Sequence, residues 1–197
     1  MALRISDVKA HLSEGDRLST LIKGHLWVER SINEALIAIS ERPSELRLDR
    51  WAFTTKVDMA AALGCVDLEH ATAIRKLNSL RNRAAHRLDY DVSDAEVREF
   101  ARSLPPRLQS IIAEEGVESP PLYDCLYVLI FSLEVDNAHA ADERRWGLQR
   151  AVHQALTTVW ADDGIDPSRA DERARRVVDP PPRPAPEDIF IPEQDLS

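Results

Sequence analysis

Glycine is scarce in this chain, with six in 197 residues, and runs of β-branched residues are few. A sheet-rich fold, which needs glycine at its turns and branched residues in its strands, is therefore disfavoured. Cysteine is nearly absent. Cys65 and Cys125 have neither CxxC spacing nor a histidine pair beside them, which argues against a disulfide framework and a metal site and leaves buried apolar thiols. Long apolar runs are missing too. The longest, Cys125–Phe131, falls well short of the roughly 20 residues a membrane helix needs. The start, "MALRISDVKAHLSEGD", carries no apolar signal core, so the chain is expected to be cytoplasmic. No cofactor fingerprint stands out, and none is expected.

Leu, Ala, Glu and Arg dominate, and all four favour helix. Hydrophobic residues make up 44% of the chain, enough for one sizeable core. The net charge of −9 is uneven. Five basic and ten acidic residues lie beyond position 161, leaving twenty basic and twenty-four acidic before it. A body so mildly acidic will not adhere broadly to nucleic acid, but a local basic face remains open.

The periodicity predicts an all-α protein. A long helix carries Leu18, Leu21, Ile22, Leu26, Ile32, Leu36 and Ile39 and stops before Pro43. A second covers "DRWAFTTKVDMAAALG" and ends at Gly64. A third begins at Asp67, its cap, and runs to about Leu88. Ser93 and Glu96 have capping-box spacing for a fourth, ended by Pro105 and Pro106, and a short helical stretch follows over 107–115. Residues 121–161 read as two further helices or one long broken one, with apolar residues nearly continuous from Leu126 to Phe131. The expected organisation is one helical domain over 1–161 and an acidic, extended tail over 162–197. Six of the twelve prolines crowd into Pro180–Pro192. The patch "DIFIP" inside that tail could dock on a partner or on the body, though tails of this composition usually do neither.

The third helix holds the most unusual stretch, "LNSLRNRAAHRL" (Leu77–Leu88). On a helical wheel Ile74, Leu77, Arg81, Ala84, Ala85 and Leu88 share one side. Arg75, Ser79, Asn82 and His86 share the adjoining polar side, with Arg81 and His86 about 140° apart. Between Ala71 and Leu88 stand Arg75, Lys76, Arg81, Arg83 and Arg87, and no acid. In a chain with more acids than bases, a phosphate diester finds its most favourable potential here.

An arginine, an imidazole and no carboxylate cluster suit RNA cleavage. RNA supplies its own nucleophile, the 2′-hydroxyl. The protein need only take that proton, give one to the leaving 5′-oxygen and stabilise the charged phosphorus. Imidazole titrates near neutrality and can do either proton transfer. Guanidinium offers paired donors to phosphate oxygens. No metal is needed for this chemistry.

"LNSLRNRAAH" resembles the Arg-x4-6-His signature of HEPN domains, often written Arg-Asn-x-x-x-His. The resemblance is specific over roughly 74–90, is supported by the helix order from 16 to 104, and does not cover 105–197. It implies an up-and-down helical bundle that dimerises, two motif copies meeting in one cleft, and a metal-independent endoribonuclease acting as a toxin or defence effector held by an antitoxin or other inhibitory protein. Carried onto this sequence, Arg81 would hold the phosphate and His86 would handle the proton. Asn82 would position the substrate or His86, and Arg75, Lys76, Arg83 and Arg87 would attract the RNA. Toxins of this family paired with a nucleotidyltransferase usually carry a tyrosine two residues after the histidine. Here Leu88 stands there, with Tyr90 the nearest, which weakens any expectation of control through that tyrosine.

Competing readings are plainer. On these, Arg81 lies over apolar surface by its stem, and His86 serves only the helix dipole. The alternative to a nuclease is a non-catalytic helical dimer that regulates partners or binds a nucleotide or RNA. His25 and Glu29, at i and i+4, could face the site, but a pair on the helix surface is the expected role. His139, Asp142 and Glu143 read as a solvated turn of helix rather than a metal site. His153 is expected to be structural and without partners. Trp27, Trp51, Trp146 and Trp160, spread over four segments, are assigned to core or interface.

Overall fold

The computed structural model describes residues 5–87, 89–114, 120–162 and 164–177. These are all-helical, with no strand among them. The order is α1 (Ile5–Ser13), α2 (Arg17–Ile39), α3 (Phe53–Ala62), α4 (Leu68–His86), α5 (Asp94–Ser103), α6 (Pro106–Glu114), α7 (Leu122–Asp162) and α8 (Pro167–Val177).

Local chemistry sets most of the boundaries. The Asp16 carboxylate accepts from Ser19 N–H at 2.7 Å to start α2, and Asp67 does the same for His70 N–H to start α4. Ser93 and Glu96 form the expected capping box on α5. Gly64, at φ 72°, stops the chain just past α3 in a conformation that side chains disfavour.

The structure departs from expectation at several elements. Ile5–Ser13 is a helix rather than a leader, with Val8 and Leu12 buried. Among its described side chains only Val8 and Leu12 are buried, one turn apart, too few for a periodicity to register. Leu48–Arg50 is a separate 3-10 turn, so α3 begins at Phe53 instead of Asp49. The stretch from 122 to 162 is one unbroken 41-residue helix. Part of the expected tail is also helical. The Asp166 carboxylate accepts from Ser168 N–H, Pro167 opens α8, Asp171 pairs with Arg175 at i,i+4, and Ala170 and Ala174 are buried. The proline-dense stretch and its "DIFIP" patch lie outside the described residues.

The chain divides into two compact units, 1–137 and 138–197, and the division falls inside α7, earlier than the boundary expected at 162. In the first unit α4 is central, packing against α2, α3 and α5. Ion pairs of Lys76 with Glu99 and Arg83 with Glu96 set α4 and α5 antiparallel. The first half of α7 buries Leu122, Cys125, Leu126, Leu129, Ile130 and Leu133. It lies so close to α2 that a Cβ on Gly24 would stand 2.5 Å from the Leu126 side chain. Burial pushes the Cys125 thiol up to about 12, so it stays protonated and inert. In the second unit His153 Nε2 lies 3.4 Å from Asp171, a partner the sequence reading did not give it.

Two apolar expectations on α2 do not hold. Ile22 and Leu26 are exposed, Leu26 by 59%, and Val28 takes the buried place. Among the described residues no helix is long and apolar enough to cross a membrane.

Candidate functional site

The buried stripe of α4 is His70, Ala71, Ala73, Ile74, Leu77 and Leu80. It stops there. Arg81 and Ala85 are exposed and Ala84 is half-buried, so Arg81 does not sit within a packed stripe. Its angular position matches that of Leu77, but the last turn and a half of the helix runs past its packing partners. Leu88, assigned to the same side, lies outside the described residues.

On the polar side an open hollow of about 450 Å3 is lined by Arg75, Asn78, Ser79, Asn82, Arg83, His86 and Arg87. Every lining residue comes from α4 except Arg87, its C-cap. Spacings of three and four residues align them along one flank, with Asn78, Asn82 and His86 rising one turn at a time. Of the predicted residues, Asn82, His86, Arg75, Arg83 and Arg87 therefore share one space.

Arg81 is not part of that lining. A guanidinium N–H reaches the Asn82 Oδ1 at 3.4 Å, a long bond that links the arginine to the hollow's edge. Lys76 is elsewhere, on the α5 side, bonded to Glu99. It does not line the hollow. Arg75 is bonded to Asp58 at 2.7 Å, and Arg83 Nη2 lies 3.2 Å from Glu96. Among the described residues no acid pairs with Arg81 or Arg87. Tyr90 donates its hydroxyl to Glu96 at 3.0 Å and does not line the hollow.

Behind the hollow lies a buried polar seam that the sequence reading missed. His25 on α2 is 5% exposed. Its Nε2 is 3.2 Å from Asn78 Oδ1, and its ring stacks on Phe53 with centroids 4.1 Å apart. Glu29 does not pair with His25. It accepts from the buried Lys56 Nζ at 2.5 Å. Burial holds the His25 imidazole below its usual pKa. Asn78 and Glu29 offset this in part, while the Arg81 and Lys56 cations add to it. His25 is thus a neutral ring facing the motif helix. The visible signal was its i,i+4 spacing with Glu29; the partner across the interface was not visible.

The other end of α4 is fastened by a second network. His70 is 1% exposed, with Nδ1 at 2.8 Å from Asp67 and Nε2 at 2.9 Å from the Ser132 hydroxyl of α7. Arg107 of α6 donates to the same hydroxyl at 2.7 Å and to Asp136 at 3.2 Å. Asp, His and Ser stand here in the order of a charge relay. Ser132 is buried, however, and none of these residues lines the hollows described, so a substrate carbonyl has no access. The network ties α4, α6 and α7 together.

Among the described residues no three His, Cys, Asp or Glu side chains gather as a metal site would require; the side chains of Asp142 and Glu143 lie outside those described. No family model matches the chain, and no curated protein or solved structure matches it either.

Proposed function

We infer that this protein is a metal-independent endoribonuclease of HEPN type. The observation that carries the reading is the exposed end of α4, where Asn82, His86 and three arginines line one hollow with no acid in its lining. His86 takes the 2′-hydroxyl proton or returns one to the leaving oxygen. Arg81, bridged to Asn82, neutralises the phosphorane. The hollow is walled by a single helix. A second copy of the chain, facing the first across α4, supplies the opposite wall and brings a second Arg81 within reach of the same phosphate. The substrate is RNA, the setting cytoplasmic, and the biological role that of a toxin or defence effector restrained by a partner protein.

One observation favours a second reading. Arg75, Lys76 and Arg83 are each already engaged by an acid, which tempers the field available to a polyanion. On that reading the bundle is a non-catalytic module that binds RNA or a regulatory partner.

Cleavage of a labelled RNA in excess chelator tests the choice. Activity that survives chelation and vanishes in both Arg81→Ala and His86→Ala supports the nuclease. Cleavage abolished by chelation overturns the metal-free mechanism. Growth arrest on expression, relieved by the same substitutions, is the cellular counterpart.

A further inference from the structure

We propose that Asn78 is a phosphate-contacting residue of the α4 hollow, and that the buried His25 behind it is the positioning residue that fixes its carboxamide. The inference rests on the reading of that hollow as a polyanion site and names the residues that read the phosphate.

Asn78 occupies an unusual place. It is half-buried between the helices, yet it lines the hollow together with Asn82, His86 and Arg87. Its Oδ1 is turned inward to His25 Nε2 at 3.2 Å. An amide whose oxygen is engaged has only its nitrogen, with two N–H donors, left to offer. A phosphodiester oxygen accepts such donors and cannot supply any, so the fixed orientation is the productive one for phosphate.

His25 can hold that orientation because of its surroundings. The ring is fixed by Phe53 on its face and is almost wholly enclosed. Neutral imidazole carries one N–H, and placing it on Nε2 satisfies the Asn78 oxygen. Were the amide reversed, its oxygen would face the phosphate and repel it. A buried histidine thus acts on the ligand through one intermediate side chain.

The isosteric variant Asn78→Asp separates this role from a structural one. It keeps an oxygen for His25 to donate to and replaces the amide nitrogen with a second carboxylate oxygen. The probe is a short, fluorescein-labelled, 2′-O-methyl single-stranded RNA, which can bind but cannot be cut. Binding is read by anisotropy, with folding checked by thermal unfolding. Losing a hydrogen bond to a charged group should weaken binding by about tenfold or more. The same charge placed at the exposed Thr72, on α4 outside the hollow, should weaken it less than about threefold. His25→Phe, which adds no charge, should weaken binding, and His25→Gln, which restores a donor, should recover part of it. If the wild type binds the probe and Asn78→Asp binds equally well, the proposal fails while the reading of the hollow stands. If His25→Phe and His25→Gln are indistinguishable from wild type, the positioning role fails. A wild type that does not bind the probe overturns both.

Discussion

His70 and His86 stand on the same helix, sixteen residues apart, in opposite circumstances. His70 is sealed from solvent with both ring nitrogens occupied by Asp67 and Ser132. His86 is exposed at the last position of the helix, beside an open hollow. Between them every buried residue of α4 falls at or before Leu80. One end of the helix is anchored and the other is displayed. The contrast matters for chemistry, since an imidazole that must exchange protons with a ligand cannot also be a satisfied core group. Anchoring one end supplies the rigidity that lets the other hold its side chains in place.

The sharpest way to break this contrast is to separate activity from stability. Arg81→Ala and His86→Ala at the displayed end should each lower the rate of RNA cleavage by about 10²–10⁴-fold. Their unfolding free energy should stay within about 0.5 kcal/mol of wild type, as expected of exposed positions. Gel-resolved cleavage and urea unfolding of the same preparations decide it. Cleavage unchanged in both variants would falsify the assignment of the motif.

The anchored end should show the reverse. Leu77→Ala deletes a fully buried side chain and should cost about 2–5 kcal/mol in urea unfolding. A loss below about 1 kcal/mol would mean that the packed stripe is not where it is described. His70→Leu is a milder probe of the same end. It preserves bulk but leaves the Ser132 hydroxyl and the Asp67 carboxylate without their shared partner, at about 1–3 kcal/mol. Because Arg107 still donates to Ser132, the cost should lie below that of Leu77→Ala. Cleavage per folded molecule should persist in both.

Much of this contrast was legible in the residues. Asp67, Ser93 and Glu96 announced their helix starts because capping depends on local spacing alone. The polar flank of α4 followed from rotation about the axis. Burial along that axis did not, because it depends on where neighbouring helices end. The wheel put Arg81 with Leu77, though only Leu77 is covered, and it omitted Leu80, which is buried. The same gap explains Ile22 and Leu26 on α2. Across-helix partners were equally hidden: nothing local to His25 marks Asn78, fifty-three residues away, as its partner. In α8 the proline-rich stretch beyond it coloured the reading of a segment that has its own cap, its own i,i+4 pair and two buried alanines.

The smallest expected effect concerns the seam that joins the two ends. His25 has its pKa lowered in the fold, chiefly by burial, so the unfolded chain binds a proton that the native state resists. Above the unfolded value of about 6.5 the ring is neutral in both states and native stability is fully present. As pH falls below 6.5 the unfolded state takes up the proton first, and stability declines until the native ring also protonates. Other groups titrate in the same range, so the diagnostic quantity is a difference. Stability measured at pH 7.5 and at pH 5.5 should fall less in His25→Gln than in wild type, since glutamine can donate to Asn78 without binding a proton. Equal losses in the two proteins would show that the ring protonates in the folded state as easily as in the unfolded one. The neutral donor to Asn78 would then lose its physical basis even with the displayed end of α4 intact.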